Sequence, residues 1–346
     1  MTTTRPLAVG ITPLETRRDV VVRLAERAEE LGYAAFFVAE AWGHDASVLL
    51  AEVATHTDRI QIGTGVINVW GRGAGSIAML AASLDELSSG RFVLGLGAGS
   101  PQLAEGLHDV AFRAPVSRLE ATTQQVRRLL DGERIIPSEP GGSRPLRLGV
   151  LPPSRVPINL AGLGPRAVRV AGQHADGWYP FLLPVSSLKA AEADLHAGAA
   201  LGEPGRPLPQ ICPGIPVAVS SDPARARATA VWWVAFYLTS MGPLYANTLR
   251  RLGFGGAVDD VLAANPTRGG TPEIPESAEM LLDELTLWGT AANARAGLDR
   301  WYDAGADMPV VVLPPNQSAH ELEDLLEALR PTALVPADSG PNRWYP

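Results

Sequence analysis

"GRFVLGLGAGSPQ" (residues 90–102) carries an apolar run into three glycines at alternate positions, Gly95, Gly97 and Gly99. Each lacks a side chain, so another backbone or a ligand can come close there. A dinucleotide fingerprint would need G-x-G-x-x-G opening a helix. Here the position three after Gly97 is Ser100, Pro101 follows, and Gly106 and Pro115 break the next stretch. No Walker A pattern occurs either. The glycines therefore belong to a strand end, and the neighbouring elements decide which fold that strand serves.

Reading outward, strand and helix patterns alternate. Apolar strands are predicted at 7–12, 33–40, 59–69 and 91–99, with helices at 19–32, 45–57, 75–88 and 117–132. Strands apolar on both faces and separated by helices imply a parallel sheet covered on each side. The second half continues with strands at 156–162, 175–182, 210–220 and 308–315. Helices are predicted at 164–173, 185–200, 222–250, 277–287, 290–304 and 318–330. Eight strands without a linker favour a (β/α)8 TIM barrel. The predicted domain spans 1–335, with a helical insertion at 222–276 after strand 7 and a C-terminal tail at 336–346. A doubly wound sheet is the competing topology, but "GITPLETRR" after the first strand carries no phosphate fingerprint.

Composition narrows the function classes. Apolar residues make up 46% and charged residues 19%, with no apolar run of the roughly 18 residues a membrane helix requires, so no membrane role is expected. Net charge is −8 and the basic residues are scattered, which argues against a nucleic-acid footprint. The single cysteine, Cys212, excludes an internal disulfide and a cysteine-rich zinc site. The six histidines show no metal-ligand spacing, so no metal is expected. With no signal-peptide core near the N-terminus, the expected location is the cytoplasm.

In a barrel, catalysis sits where strands end and βα loops begin. That rule selects Glu40 to His44, Gly65 to Asn68, Gly97 to Ser100 and Ala161 to Gly164. Two readings of Glu40 stand: a proton-handling group, or one half of an ion pair with a barrel arginine. Trp42 and His44 are candidates to wall a substrate and to donate a proton; "HD" at 44–45 also reads as a helix N-cap. "VWWVAFYL" (231–238) is apolar all round a helix and so is expected to be buried on two sides. From it Trp232, Trp233, Phe236 and Tyr237, with Met241 beyond, are predicted to line an apolar substrate pocket; packing against the barrel and a dimer partner is the alternative.

"EAWGHDASVLLAEVATHTDRIQIGTGVINV", "LDELSSGRFVLGLGAGSPQ", "LAGLGPRAVRVAGQHADGW" and "WYDAGADMPVVVLPP" together resemble the bacterial luciferase-like superfamily, and most closely its coenzyme F420-dependent branch. "FYLTSMGPLYANTLRRLGFG" (236–255) resembles that branch's helical insertion. The resemblance implies a homodimeric barrel enzyme passing hydride between a deazaflavin and an unsaturated small molecule. An FMN-dependent monooxygenase, and a catalytically silent barrel acting as a binding protein, are the alternatives.

By the same resemblance, a non-proline cis peptide would join Gly65 and Val66 behind the ring. Glu40 and Asn68 would contact the ring, and Gly97, Ala98 and Gly99 would line its other side. The phosphate-bearing tail would fall at Ala161, Gly162, Leu163 and Gly164. Two departures from the family's glucose-6-phosphate dehydrogenases stand out. Ala41 replaces a histidine after the strand-2 acid, and Ser100 replaces a glutamate after the glycines. That substrate and that acid–base pair are therefore not carried over.

Overall fold

The computed structural model describes residues 5–137, 141, 143–267 and 269–331. The expected tail at 336–346, and positions 1–4 and 332–335 of the expected domain, lie outside the described residues. The strands are β1 (Ala8–Ile11), β2 (Ala35–Val38), β3 (Gln61–Thr64), β4 (Ile67–Asn68), β5 (Phe92–Gly97), β6 (Ile158–Ala161), β7 (Gly177–Trp178), β8 (Gln210–Ile211), β9 (Gly214–Val219), β10 (Leu287–Gly289) and β11 (Val310–Leu313). All pair in parallel, in the order β10-β9-β11-β1-β2-β3-β5-β6-β7-β8. Cys212 and Pro213 join β8 directly to β9. A parallel bridge from Phe181 to Gly214 ties the segment after β7 back to β9, so the sheet curls.

Alternation along the strands sorts the side chains. Val9, Ile11, Phe36, Val38, Ile62, Leu94, Leu96 and Trp178 point outward into the main core beneath the helices. Ala8, Ala35, Phe37, Val93, Tyr179, Cys212 and Val310 form a separate cluster in the barrel interior. A period of two puts successive residues on opposite faces, and here both faces are buried.

The glycine strand is explained by its neighbour. Gly63 pairs with Val93, whereas Ile67 pairs with Leu96, so the β3–β4 side has one residue more than β5 over this stretch. That extra residue makes a bulge at Gly65–Val66, where the peptide is cis. The bulge pushes backbone against β5: a Cβ on Gly95 would lie 1.9 Å from the Thr64 carbonyl oxygen. The Thr64 hydroxyl takes over part of the ladder, accepting from Gly95 N (2.7 Å) and donating to Gly95 O (2.8 Å). A Cβ on Gly97 would lie 2.7 Å from Val66 Cγ2. Gly99 has φ +62°, and a Cβ there would crowd Asn68 Cβ at 3.2 Å. Of the two readings, an approaching backbone or a ligand, the structure puts backbone against Gly95, and at Gly97 a side chain would meet Val66 of the bulge.

Asp176, 4% exposed at the start of β7, ties the barrel's lower rim together. Its carboxylate meets Arg127 at 2.6 Å, Arg155 at 2.7 Å and Arg206 at 3.1 Å, and accepts from Ile158 N at 2.8 Å. Burial pushes this carboxyl up, but Arg127, Arg155 and the Ile158 amide outweigh it and hold it below its ordinary value.

Between β9 and β10 stand the helices Pro223–Ser240, Pro243–Leu249 and Gly255–Ala264, with a wide turn at Arg250–Phe254. The sequence reading ran one helical block through 222–250. The chain instead breaks at Gly242, which has φ +82° and packs on the Gln102 side chain. The strand β10 was also unread, since the helix prediction for 277–287 ran up to it.

Two outcomes follow for stability. Gly95→Ala should destabilise by several kcal/mol, because its new methyl group meets backbone. Gly97→Ala should cost about 1–3 kcal/mol, because Val66 can shift; equal melting temperatures for the two variants would contradict this account. Asp176→Asn should cost about 3–5 kcal/mol at pH 7 by removing the buried negative charge that Arg127, Arg155 and Arg206 share. A carboxyl lowered in the folded state gives stability that is present above its unfolded pKa of about 4 and lost as pH falls through the folded value. Urea melts across pH 2–7 should therefore show a shallower acid loss in the Asn variant.

Candidate active site

The strand ends named from sequence form one rim. Gly65, Val66, Ala98, Gly99, Ala161, Gly162, Leu163 and Gly164 are all half-buried there, while Asn68 and Gly97 are buried. Glu40 follows β2, and its backbone N–H donates to Val66 O at 3.2 Å, which ties the end of β2 to the bulge.

The Glu40 side chain has its partners already. It forms a close ion pair with Arg72 and accepts from Ala46 N at 3.0 Å. Arg72 also reaches Asp45 at 2.6 Å. Burial works against the Arg72 charge, but Glu40 and Asp45 outweigh it and raise its pKa above the ordinary value. Asp45 caps the following helix by accepting from Ser47 N at 2.9 Å. Of the two readings of Glu40, the geometry is that of the ion pair. His44 is exposed, with Nε2 2.9 Å from the Thr16 carbonyl oxygen, and Trp42 is 49% exposed.

Asn68 is likewise occupied by its own chain. Its Oδ1 accepts from Trp70 N and Gly71 N, both at 3.0 Å, and its Nδ2 lies 3.2 Å from His108 Nε2. Trp70 Nε1 donates to Ala98 O at 2.7 Å. The amide thus shapes the turn that presents Arg72 to Glu40. His108 packs against this turn, its ring beside Gly71.

Across the rim, Gly164 is the N-cap of the helix Pro165–His174. The first N–H groups of a helix lack internal partners and carry the positive end of its dipole, so this terminus suits an anion. Gly164 is open: the nearest atom to a Cβ built there is Arg251 Nη1 at 3.9 Å. Arg251 Nη2 donates to Leu163 O at 2.7 Å. The arginines of the helix itself are used elsewhere, Arg166 on Ser117 Oγ at 2.7 Å and Arg169 on Asp194 at 2.8 Å. Arg251 was missed because it arrives from the insertion, 88 positions from Leu163; "TLRRLGFG" was its only trace.

The insertion's aromatic face divides. Trp233 is fully buried and donates from Nε1 to Val217 O at 3.1 Å, so it fastens the helix to β9. Trp232 and Phe236 stack with centroids 5.0 Å apart, half-buried, and Met241 is also half-buried. Tyr237 turns toward the barrel mouth, edge-on to Phe181 at 4.9 Å and to Tyr245 at 5.2 Å. Tyr179, pointing inward from the end of β7, places its hydroxyl 3.3 Å from where a Cβ on Gly65 would be.

These tyrosines differ from Tyr33 and Tyr302. Tyr33 donates to Leu326 O and Tyr302 to Pro6 O, each at 2.8 Å. Among the described residues, the hydroxyls of Tyr179, Tyr237 and Tyr245 have no hydrogen-bond partner. Burial raises all three pKa values, so each stays a protonated donor at neutral pH.

Among the described residues no helix is long and apolar enough to cross a membrane. The chain is similar to a candidate coenzyme F420-dependent oxidoreductase of Mycobacterium tuberculosis, 32% identical over 329 residues that cover 88% of this chain and 93% of that one. Its fold matches the coenzyme F420-dependent tetrahydromethanopterin reductase of Methanopyrus kandleri with a TM-score of 0.75 at 17% identity, over 95% of this chain and 98% of that one. An F420-dependent secondary alcohol dehydrogenase, bound to an F420–acetone adduct, matches with a TM-score of 0.73 at 18% identity, over 94% and 99% of the two chains. The luciferase-like monooxygenase family model matches residues 4–308. With this barrel, its bulge after the third strand and that match in hand, the chain belongs to the luciferase-like family and is an oxidoreductase of it.

Proposed function

We propose that this chain is a coenzyme F420-dependent oxidoreductase that reduces an unsaturated group of a mainly apolar small molecule. The observation that carries the reading is the open helix terminus at Gly164, with Arg251 beside it, on the same rim as the bulge. The likeness to the mycobacterial relative supports the choice of cofactor.

The residues fit such a group. The amides at the start of Pro165–His174 and the Arg251 guanidinium would hold its phosphate, and Val66, Ala98 and Gly99 would lie against its ring system. A bound deazaflavin supplies the hydride. The chain's own part is to fix the acceptor carbon close to that ring and to exclude water from it. Phe181, Tyr237 and Tyr245 wall the insertion side with mutually edge-on rings, which favours a substrate with an apolar body. Because Glu40 is held by Arg72 and Ala46, its role in this reading is to brace the bulge side of the mouth.

The direct test is the absorbance and mass of the small molecule released on denaturing protein purified from an F420-producing host. A deazaflavin supports the proposal; flavin mononucleotide, or no cofactor, overturns it. For the tail, Arg251→Ala should weaken F420 binding about tenfold, and more steeply at low salt, as a loss of roughly 1.4 kcal/mol of charge-assisted contact implies. Gly164→Leu should weaken it further while leaving the melting temperature of the free protein nearly unchanged, because the site is open and φ there is −83°. F420 fluorescence quenching reads the first quantity and a thermal melt the second. Unaltered affinity in a folded Gly164→Leu protein would move the phosphate elsewhere.

A further inference from the structure

We propose that His108 is a positioning residue of the mouth: its neutral ring, unprotonated at Nε2, latches the Asn68 amide, and a proton on that nitrogen releases the latch. The hydrogen bonds leave one assignment. Asn68 Oδ1 accepts from Trp70 N and Gly71 N, both at 3.0 Å, and a backbone N–H can only donate. The amide is therefore oriented, and the end that faces His108 Nε2 at 3.2 Å is the NH2 donor. Nε2 must accept from it, so the ring carries its proton on Nδ1. A protonated imidazole would turn a second donor toward the amide, and the bond would be lost.

What the latch holds is the rim. His108 is half-buried and its ring covers Gly71, where a Cβ would lie 2.5 Å from Cε1, 2.8 Å from Nε2 and 3.0 Å from Nδ1. Asn68 in turn crowds Gly99, whose own Cβ would be 3.2 Å from Asn68 Cβ. Trp70, bonded to the Asn68 oxygen, donates from its indole to Ala98 O at 2.7 Å. Arg72, two residues on, pairs with Glu40. One imidazole nitrogen thus bears on the backbone at Ala98 and Gly99 and on the ion pair across the rim. The loop that carries it is braced, with His108 N donating to Leu103 O at 3.1 Å and Val110 N to Ala104 O at 2.8 Å.

The charged groups around the ring have other engagements. On its own loop Glu105 accepts from Phe112 N at 3.0 Å, and exposed Asp109 follows in a left-handed conformation at φ +53°. On the turn, Arg72 is held by Glu40 and Asp45. From the helix Pro115–Leu130, Arg118 lies 4.6 Å over the Trp70 ring and donates to Val69 O at 3.0 Å. Among the described residues none of these four forms an ion pair with His108. The latch is closed where the ring is neutral, and opens as pH falls through the range in which histidine takes a proton.

The test follows hydrogen exchange in the cofactor-free full chain, with protection factors read at the Gly71 amide and the Trp70 indole N–H between pH 5 and pH 8. Wild-type protection should fall about tenfold toward pH 5, the worth of one hydrogen bond. His108→Leu should be low at both ends of the range. His108→Gln, whose Oε1 accepts from Asn68 and takes up no proton, should stay high at both. Gly71→Ala, whose methyl group displaces the ring, should match the Leu variant at the Trp70 indole. Long-range 1H–15N spectra of the histidine rings should show His108 protonated on Nδ1 alone at pH 8. Wild-type protection that does not change with pH, a Gln variant as loose as the Leu variant, or a proton on Nε2 at pH 8 would overturn the latch. A second arm rests on the proposed cofactor. At pH 8 His108→Leu should bind F420 about tenfold more weakly and His108→Gln like the wild type. Equal affinity in the Leu variant and the wild type would overturn the positioning role. A wild type that binds no F420 would count against the cofactor assignment, and the exchange data, in which no F420 enters, would still decide the latch.

Discussion

The Thr64 carbonyl oxygen occupies space that any side chain at position 95 would need, and the geometry of the mouth follows from that contact. The bulge it belongs to shifts β4 by one residue against β5. Asn68 is thereby set where its side chain can collect the amides of Trp70 and Gly71. That turn aims Arg72 back at Glu40, whose own backbone is bonded to the bulge at Val66 O. Four strand ends are thus locked together by backbone contacts and one largely buried ion pair. Such a pair adds little net stability over an apolar equivalent, but removing one partner strands the other. Its effect here is to fix orientation.

The barrel was legible because parallel strands buried on both faces leave a continuous apolar signal, and because each was followed by a helix of the right length. The rim was legible for a related reason: knowing where strands end is enough to name Glu40, Gly65, Ala98 and Gly164. The three-glycine strand was legible as a place of close approach by another backbone or a ligand, and the structure puts backbone against Gly95. Glycine spacing records that something is near, and it does not say whether that is a ligand or the next strand.

What the sequence hid were contacts made between distant segments. Arg72 has no local pattern that marks it as the partner of Glu40, and Arg251 reaches Leu163 only because the insertion folds over the rim. Tyr179 is a further case. Within "ADGWYPFL" it reads as one more apolar strand residue, and only the small residues opposite it, Gly10 and Gly65, let its ring cross the barrel. Its polar end becomes informative once Tyr33 and Tyr302 are seen to have carbonyl partners.

The two sides of the mouth therefore differ in kind. On the β2–β4 side every prominent polar side chain is paired: Glu40 with Arg72, Asn68 with Trp70, Gly71 and His108, and Asp45 with Ser47 and Arg72. That side is preorganised and resists change. On the insertion side, one continuous stretch brings Tyr237, the turn at Gly242, Tyr245 and Arg251, and its donors are unspent or face an open cradle. Gly242 is where that stretch changes direction, seated on Gln102 just past β5. A wall whose polar groups are satisfied within the barrel faces an insertion with fewer such bonds, and the first is the side that holds geometry. The barrel side is thus the fixed scaffold, and the insertion joins it at the rim through Arg251 and Leu163.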